Sequence, residues 1–231
     1  ALPIYRKLKK SVVIANEHNE LKTKFIRNIS SQMEPTLNTL GTSAKELSAQ
    51  APRYAEQMQA QVAALKQFSD NIQELSSLEN SLTEPYEMGE VNAGTFCESV
   101  MEKAKEFMKP DVTPSVNAPK LQVKTNKEQL ERILLYLLKN AAFYTEQGRI
   151  SLDFKKRGAH THQFIITDTG TGIPAEQQEN LFKPFTQVKD LTTGDGLGLP
   201  ICSLIATKMN GSLTLDTSYT KGCRFILELH A

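Results

Sequence analysis

The sequence predicts a helical hairpin followed by an α+β domain, and three patterns carry that expectation. Apolar residues step by threes and fours from Phe25 to Leu47 and again from Met58 to Leu82, the spacing of one buried stripe on each of two helices. Beyond Pro85 the period changes. Runs such as Ile150 to Phe154 and His162 to Thr167 are short, rich in β-branched and aromatic residues, and separated by polar turns, which reads as strands. The third pattern is Ile165-Ile166-Thr167-Asp168-Thr169-Gly170-Thr171-Gly172-Ile173-Pro174, an apolar strand that ends on an acid and two glycines, a form suited to the floor of a pocket.

In the first arm, Phe25, Ile29, Met33, Leu37, Leu40, Ala44 and Leu47 share one helix face. Ala49 to Arg53 reads as a turn, because Pro52 ends one helix and suits the first turn of the next. Residues 54 to 82 form the return arm, with Met58, Val62, Leu65, Ile72, Leu75 and Leu82 on its apolar face. A lone hairpin leaves each stripe half covered, so the expected solution is a homodimer built as a four-helix bundle. Packing of the hairpin on its own C-terminal domain is the alternative. The hairpin domain is placed at residues 1–85 and the second domain at 89–231, with the Pro85 segment as linker.

The second domain is expected to open with a helix from Gly94 to Met108, then a loop and short strand across Pro110 to Pro119. A helix capped by Thr125 or Asn126 follows. Strands at 150–154 and 162–167, and a closing pair at 212–216 and 224–229, complete a mixed sheet with helices on one face.

Composition excludes several classes. The chain has 231 residues, 39% hydrophobic and 23% charged, with a formal net charge of +1. That suits one or two soluble domains and supplies no field for nucleic acid, so no nucleic-acid partner is expected. Cys97, Cys202 and Cys223 are odd in number and lack metal-like spacing, which favours buried free thiols in a reducing, cytoplasmic compartment. No run approaches the roughly 20 apolar residues of a membrane span, and no signal peptide opens the chain. Arg6, Lys7, Lys9 and Lys10 cluster before the first helix. They read equally as a solvated face or as the cytoplasmic flank of a membrane helix in a longer, anchored parent.

Chemistry concentrates in three places. Asn140 lies on a helix whose neighbours Ile133, Leu134, Leu137 and Ala141 face the core, so its carboxamide is free to point to a cavity and to give Mg²⁺ a neutral oxygen. Asp168 with Gly170 and Gly172 forms the second place. Gly194, Gly196, Leu197 and Gly198 precede a helix start, an arrangement that offers backbone N–H groups to an anion. Each alone has a plain structural reading, as a solvated Asn, a tight turn or a flexible loop. Asp195 adds a carboxylate to the proposed phosphate loop, where it would repel nucleotide unless it points outward or helps to hold metal.

Taken together, Leu137-Leu138-Lys139-Asn140-Ala141-Ala142, the Asp168 motif and Gly194-Asp195-Gly196-Leu197-Gly198 resemble the ATP-binding domain of two-component sensor histidine kinases, which belong to the GHKL ATPases. The resemblance spans residues 21 to 231. It implies an α/β-sandwich of the Bergerat type, ATP and Mg²⁺ as ligands, and Asp168 as acceptor for the adenine amino group. Phe182 and Phe185 resemble the residues that anchor the family's ATP lid, and Gly222-Cys223-Arg224-Phe225 resembles its last glycine motif. The receiver domain of a response regulator is the implied partner.

Departures from the family frame are equally specific. Tyr136 stands where a second Asn is usual, and Phe143 where Lys or Arg is usual, leaving Lys139 or a lid lysine as substitutes. Phe25 to Ser30 with Thr36-Leu37-Asn38 resembles the phosphoacceptor box, but the acceptor histidine's place is held by Ser31, or by Ser30 if Pro35 sets the register. Gln32 replaces the acidic neighbour. Ser31 lies roughly 200° around a 3.6-residue helix from Ile29 and from Met33, so it faces outward. The expectation is a kinase core that does not autophosphorylate, the alternative a nucleotide-binding regulatory or scaffold protein without phosphoryl transfer.

Overall fold

A computed structural model describes residues 26, 30, 33–46, 51–158, 160–184 and 196–230. The chain divides into two compact units, Ala1–Ser81 with Pro184–Ile201, and Leu82–Lys183 with Cys202–Ala231.

In the first unit residues 33–46 are helical (α1) and Pro52–Asn80 form the long helix α2. Pro52 occupies the first turn of α2, where a missing N–H leaves no hydrogen bond unmade. The helix closes where the Ser81 N–H donates to Ser77 O at 3.1 Å and to Leu78 O at 3.2 Å. It stops two residues short of the expected end, and Leu82 falls in the following turn, 36% exposed. Leu37 and Ala44 on α1 and Leu75 and Leu78 on α2 are buried. Met58, Val62 and Leu65 are only half-buried, while Leu40 and Tyr54 are 42% and 70% exposed. These side chains line an apolar groove of about 760 Å³. Phe25, Ile29 and Leu47 of the expected stripe lie outside the described residues.

The second unit is built on a five-stranded mixed sheet. Its strands are β2 (Val112–Asn117), β4 (Gly148–Arg157), β5 (Thr161–Asp168), β7 (Arg224–His230) and β6 (Gly211–Leu215), in the order β2-β4-β5-β7-β6. Only the β2–β4 pair is parallel. Alternate residues Ile150, Leu152 and Phe154 on β4, Phe164, Ile166 and Asp168 on β5, and Phe225, Leu227 and Leu229 on β7 are buried, as the two-residue strand period requires. Helices α3 (Ala93–Ala104) and α4 (Lys127–Tyr144) pack against this sheet, in agreement with the expected helical layer.

Two features differ from expectation. The helix expected from Gly94 to Met108 gives way at Lys105 to a 3₁₀ turn, Lys105–Phe107. A two-stranded antiparallel ladder, β1 (Gly89–Asn92) with β3 (Gln122–Thr125), was not foreseen, because four residues are too few to show a period. Asn92 caps α3 by accepting from Thr95 N at 3.2 Å. Asn126 caps α4 by accepting from Gln129 N at 2.9 Å, while its amide donates to Glu87 O at 2.9 Å. One residue thus starts α4 and ties it to the segment before β1.

His162, near the start of β5, is 7% exposed and stacked on Phe154 with ring centroids 5.7 Å apart. Burial first, then the charges of Lys156 and His160, holds its imidazole below the ordinary histidine range.

Leu130, Ile133, Leu134, Leu137, Leu138, Ala141 and Ala142 of α4 are all buried. Each fully buried Leu or Ile contributes about 2 kcal/mol. That sum far exceeds any propensity difference along the helix, so core packing sets the rotation of α4 and thereby the placement of Asn140.

Candidate functional site

Asp168 ends β5 and is 4% exposed. Its N–H donates to Cys223 O at 2.9 Å. Its Oδ1 accepts from Gly170 N at 2.9 Å and from Cys223 N at 3.1 Å. Among the described residues Oδ2 has no partner. Burial pushes the carboxyl above the usual range, and the two N–H donors pull it part of the way back. A buried carboxylate with one oxygen saturated and one unused is an acceptor waiting for a donor.

Backbone surrounds that acid closely. Gly222 has φ of +142°, and a Cβ there would lie 2.2 Å from Asp168 O and 2.8 Å from Oδ1. A Cβ on Gly170 would lie 2.4 Å from Tyr144 O and 2.9 Å from Thr145 Oγ1. Any side chain at either position would displace the chain that holds the acid. Gly172, with φ of +72°, faces Gly222 across the same turn.

The C-terminal end of α4 joins this cluster. Tyr144 O accepts from Thr171 N at 3.2 Å, and Thr145 is fully buried with its Oγ1 unpartnered. Asn140, one turn before Tyr144, is half-buried. Phe143 and Tyr144 are 60% and 54% exposed, their rings edge to face at 4.9 Å and 82°. The Lys139 Nζ, one of the two expected substitutes for the missing cation, sits 4.2 Å over the Phe107 ring. Lys183 Nζ donates to Asn180 Oδ1 at 2.7 Å.

The remaining predicted positions are distributed as follows. Phe182 meets Phe225 of β7 edge to face at 6.5 Å. In the other unit Gly196 has φ of +67°, Leu197 is fully buried, and Gly198 is the first residue of α6 (Gly198–Lys208). Ile201 N donates to Leu197 O at 2.9 Å. Ser31, Gln32, Phe185 and Gly194 lie outside the described residues.

The structure therefore gathers Asp168, Gly170 and Gly172 into one cradle, with Asn140 on the helix whose end closes it. Sequence reasoning did not place Tyr144, Thr145 or the Cys223 N–H there. Gly222 and Cys223 carried a signal only through the resemblance of Gly222-Cys223-Arg224-Phe225 to the family's last glycine motif. Burial, and next the Asp168 charge, raise the Cys223 thiol to about 12.

The residues fit a flat heterocycle with an exocyclic N–H donor, since Oδ2 is an unused acceptor inside a cradle that excludes side chains. Their fit to a metal is thinner. Asn140 provides one neutral oxygen, and no group of three or more His, Cys, Asp or Glu occurs among the described residues.

Residues 125–231 match the family described as histidine kinase-, DNA gyrase B-, and HSP90-like ATPase, so the second unit carries an ATP-binding domain of the GHKL class. The curated proteins that the chain is similar to are sensor proteins and sensor histidine kinases. The chain is 26% identical over 224 residues to the aerobic respiration control sensor protein ArcB of Escherichia coli, a match covering 91% of this chain and 29% of ArcB. It is 35% identical over 126 residues to the sensor histidine kinase RppB of Synechocystis, covering 52% of this chain and 27% of RppB. The chain thus spans under a third of the length of these curated relatives. Among solved structures, full-length ShkA in complex with AMPPNP shares the fold with a TM-score of 0.74 at 20% identity, covering 91% of this chain and 46% of ShkA. The catalytic domain of histidine kinase ThkA aligns with a TM-score of 0.53 at 26% identity, over 63% of this chain and 96% of that one.

Proposed function

We propose that this chain is the cytoplasmic kinase core of a two-component sensor histidine kinase, with residues 1–85 as dimerisation and phosphoacceptor-like hairpin and 89–231 as the ATP site. The observation that carries the reading is the unused Oδ2 of buried Asp168, an acceptor for the adenine amino group, held by the Gly170 and Cys223 N–H groups. Calorimetry with ATP and ADP tests it. Binding at submillimolar ligand is expected, and no heat at millimolar ligand would end the reading.

Asn140 is the residue that would hold Mg²⁺, which when bound would bridge and neutralise the phosphates. Gly196, Leu197 and Gly198, with Gly194, are the proposed phosphate loop, and Phe182 and Phe185 the lid anchors. The hairpin groove between Leu40, Tyr54, Met58, Val62 and Leu65 supports homodimerisation, since exposed apolar stripes on two helices seek partner helices. The receiver domain of a response regulator is the proposed downstream partner. No described helix is long and apolar enough to cross a membrane, which is compatible with a core attached to a membrane-anchored parent.

Phosphoryl transfer within this chain lacks its nucleophile. Neutral imidazole offers a lone pair at neutral pH, whereas a serine hydroxyl needs an adjacent base, and Gln32 cannot take a proton. Ser30, the acceptor position in the other register, is 5% exposed, which favours Ser31 as the corresponding site. A second reading, a nucleotide-binding regulatory pseudokinase, is supported by Ser31, Gln32, Tyr136 and Phe143, and by the position of the Lys139 ammonium over the Phe107 ring.

A further inference from the structure

Resting on the reading of Asp168 as the adenine acceptor, we infer that Arg224 is a positioning residue of that site, fastening the turn between β6 and β7 so that the Cys223 N–H stays on the acid. The turn runs from Asp216, just past β6, to Cys223, just before β7. Its last residue makes the decisive contact: Cys223 N donates to Asp168 Oδ1 at 3.1 Å. Gly222 beside it, at φ +142°, has the widest backbone freedom of any residue type, so the position of Cys223 has to be fixed from outside that glycine.

Arg224 supplies that fixation from one guanidinium. Its Nε donates to Thr167 Oγ1 at 3.2 Å, and its Nη1 donates to Asp216 Oδ2 at 3.2 Å. The guanidinium carbon lies 4.2 Å from the centroid of the Tyr219 ring. The strand that ends on the acid, the start of the turn and its middle are thus all joined to the residue that follows Cys223. Backbone bonds reinforce the closure, with Asp216 N donating to Arg224 O at 2.8 Å and Tyr219 N to Asp216 O at 3.2 Å. Asp216 Oδ1 accepts from Ser218 N at 3.1 Å and from Ser218 Oγ at 2.5 Å. These bonds, the Ser218 hydroxyl first and Arg224 after it, hold the Asp216 carboxyl below the usual range, so it stays an anion for Arg224 to pair with.

Thr167 and Asp168 are consecutive on β5 and point to opposite faces of the sheet, so the guanidinium lies across the sheet from the cradle and acts on the acid through the backbone. Burial favours the neutral acid, and the Gly170 and Cys223 N–H groups oppose it. Slackening the turn withdraws the Cys223 donor, and the neutral form gains. A protonated Asp168 is a poorer acceptor for an amino group. Lysine would keep the charge but not the fork, since one ammonium cannot reproduce two fixed N–H directions and a stacked plane.

The test uses the full chain with Arg224→Met and Arg224→Lys. The Asp168 carboxyl is followed by carbon-13 NMR against pH without nucleotide, its signal assigned with Asp168→Asn, and ADP binding is measured by calorimetry at pH 6 and pH 8. Both variants should titrate Asp168 at higher pH than the parent, and their ADP affinity should fall roughly tenfold more at pH 6 than at pH 8. A merely structural role would lower the urea midpoint and leave the Asp168 titration in place, which would overturn the inference and leave the ATP-site reading intact. Full rescue by Arg224→Lys would overturn it too, by assigning the effect to charge alone. Should Arg224→Met not fold, Tyr219→Leu and Asp216→Asn each remove one contact, and an unmoved Asp168 titration in both would overturn the inference. A parent chain that binds no ADP at millimolar concentration would overturn both readings.

Discussion

A Cβ placed on Gly222 would lie 2.2 Å from the carbonyl oxygen of Asp168: the glycine two residues before the last strand and the acid that ends β5 are in backbone contact without room for a methyl group. Cys223, next along, exchanges N–H and C=O bonds with the same acid. The site's geometry is therefore set by β5–β7 pairing as much as by the Asp168 motif itself.

Gly222→Ala should therefore be costly. The φ of +142° and the 2.2 Å approach both oppose a side chain, and substitution at such positions costs about 1–3 kcal/mol or more. Urea unfolding should show a lowered midpoint, and nucleotide binding should weaken in parallel. An unchanged midpoint would mean that the β5–β7 contact is looser than described.

Asp168→Asn should separate stability from function. The folded carboxyl titrates above its unfolded value because burial outweighs its two N–H donors. With more protons bound folded than unfolded in that window, stability falls as pH rises from the unfolded pKa through the folded one. An asparagine oxygen still accepts from Gly170 and Cys223 but carries no charge. The variant should melt at or above the parent temperature at pH 7, lose this segment of the pH dependence, and bind adenine nucleotides at least tenfold more weakly. A lower melting temperature at pH 7 would contradict the desolvation argument.

Ser31→His asks whether only the nucleophile is missing. The unaltered chain should take up no label from γ-labelled ATP. The variant should form an acid-labile, base-stable phosphoprotein if the ATP site is competent. Label on Ser31 of the unaltered chain would refute the argument from nucleophile chemistry, whereas an inert variant that still binds ATP would favour the regulatory reading.

Assembly is checked by light scattering. With Leu40 and Tyr54 at 42% and 70% exposure in the free hairpin, the chain should be a dimer at tens of micromolar, and Leu40→Asp with Val62→Asp should shift it toward monomer. A monomeric parent chain would remove the four-helix bundle.

Thiol labelling gives a fold-level check. Burial, followed by the nearby charge of Glu98 for Cys97 and of Asp168 for Cys223, raises both thiols to about 12. At pH 8 both should resist iodoacetamide in the native protein and react on denaturation. Fast native labelling at Cys223 would place its sulfur outside the core.

Much of this was legible along the chain, for a physical reason: helix and strand periods are local, so the α4 core residues Ile133, Leu134, Leu137 and Ala141, the strand runs of β4 and β5, and Pro52 at a helix start follow from neighbours in sequence. The Asp168 motif was legible in the same way, since an acid and two glycines within five residues state a tight turn. What tertiary structure alone decided is which partners meet across long separations. Cys223 N reaches Asp168 over 55 positions, Tyr144 O receives Thr171, and Lys139 turns to Phe107 rather than to the pocket. Such contacts depend on sheet register and on helix rotation fixed by the whole core, neither of which any short stretch of residues encodes by itself.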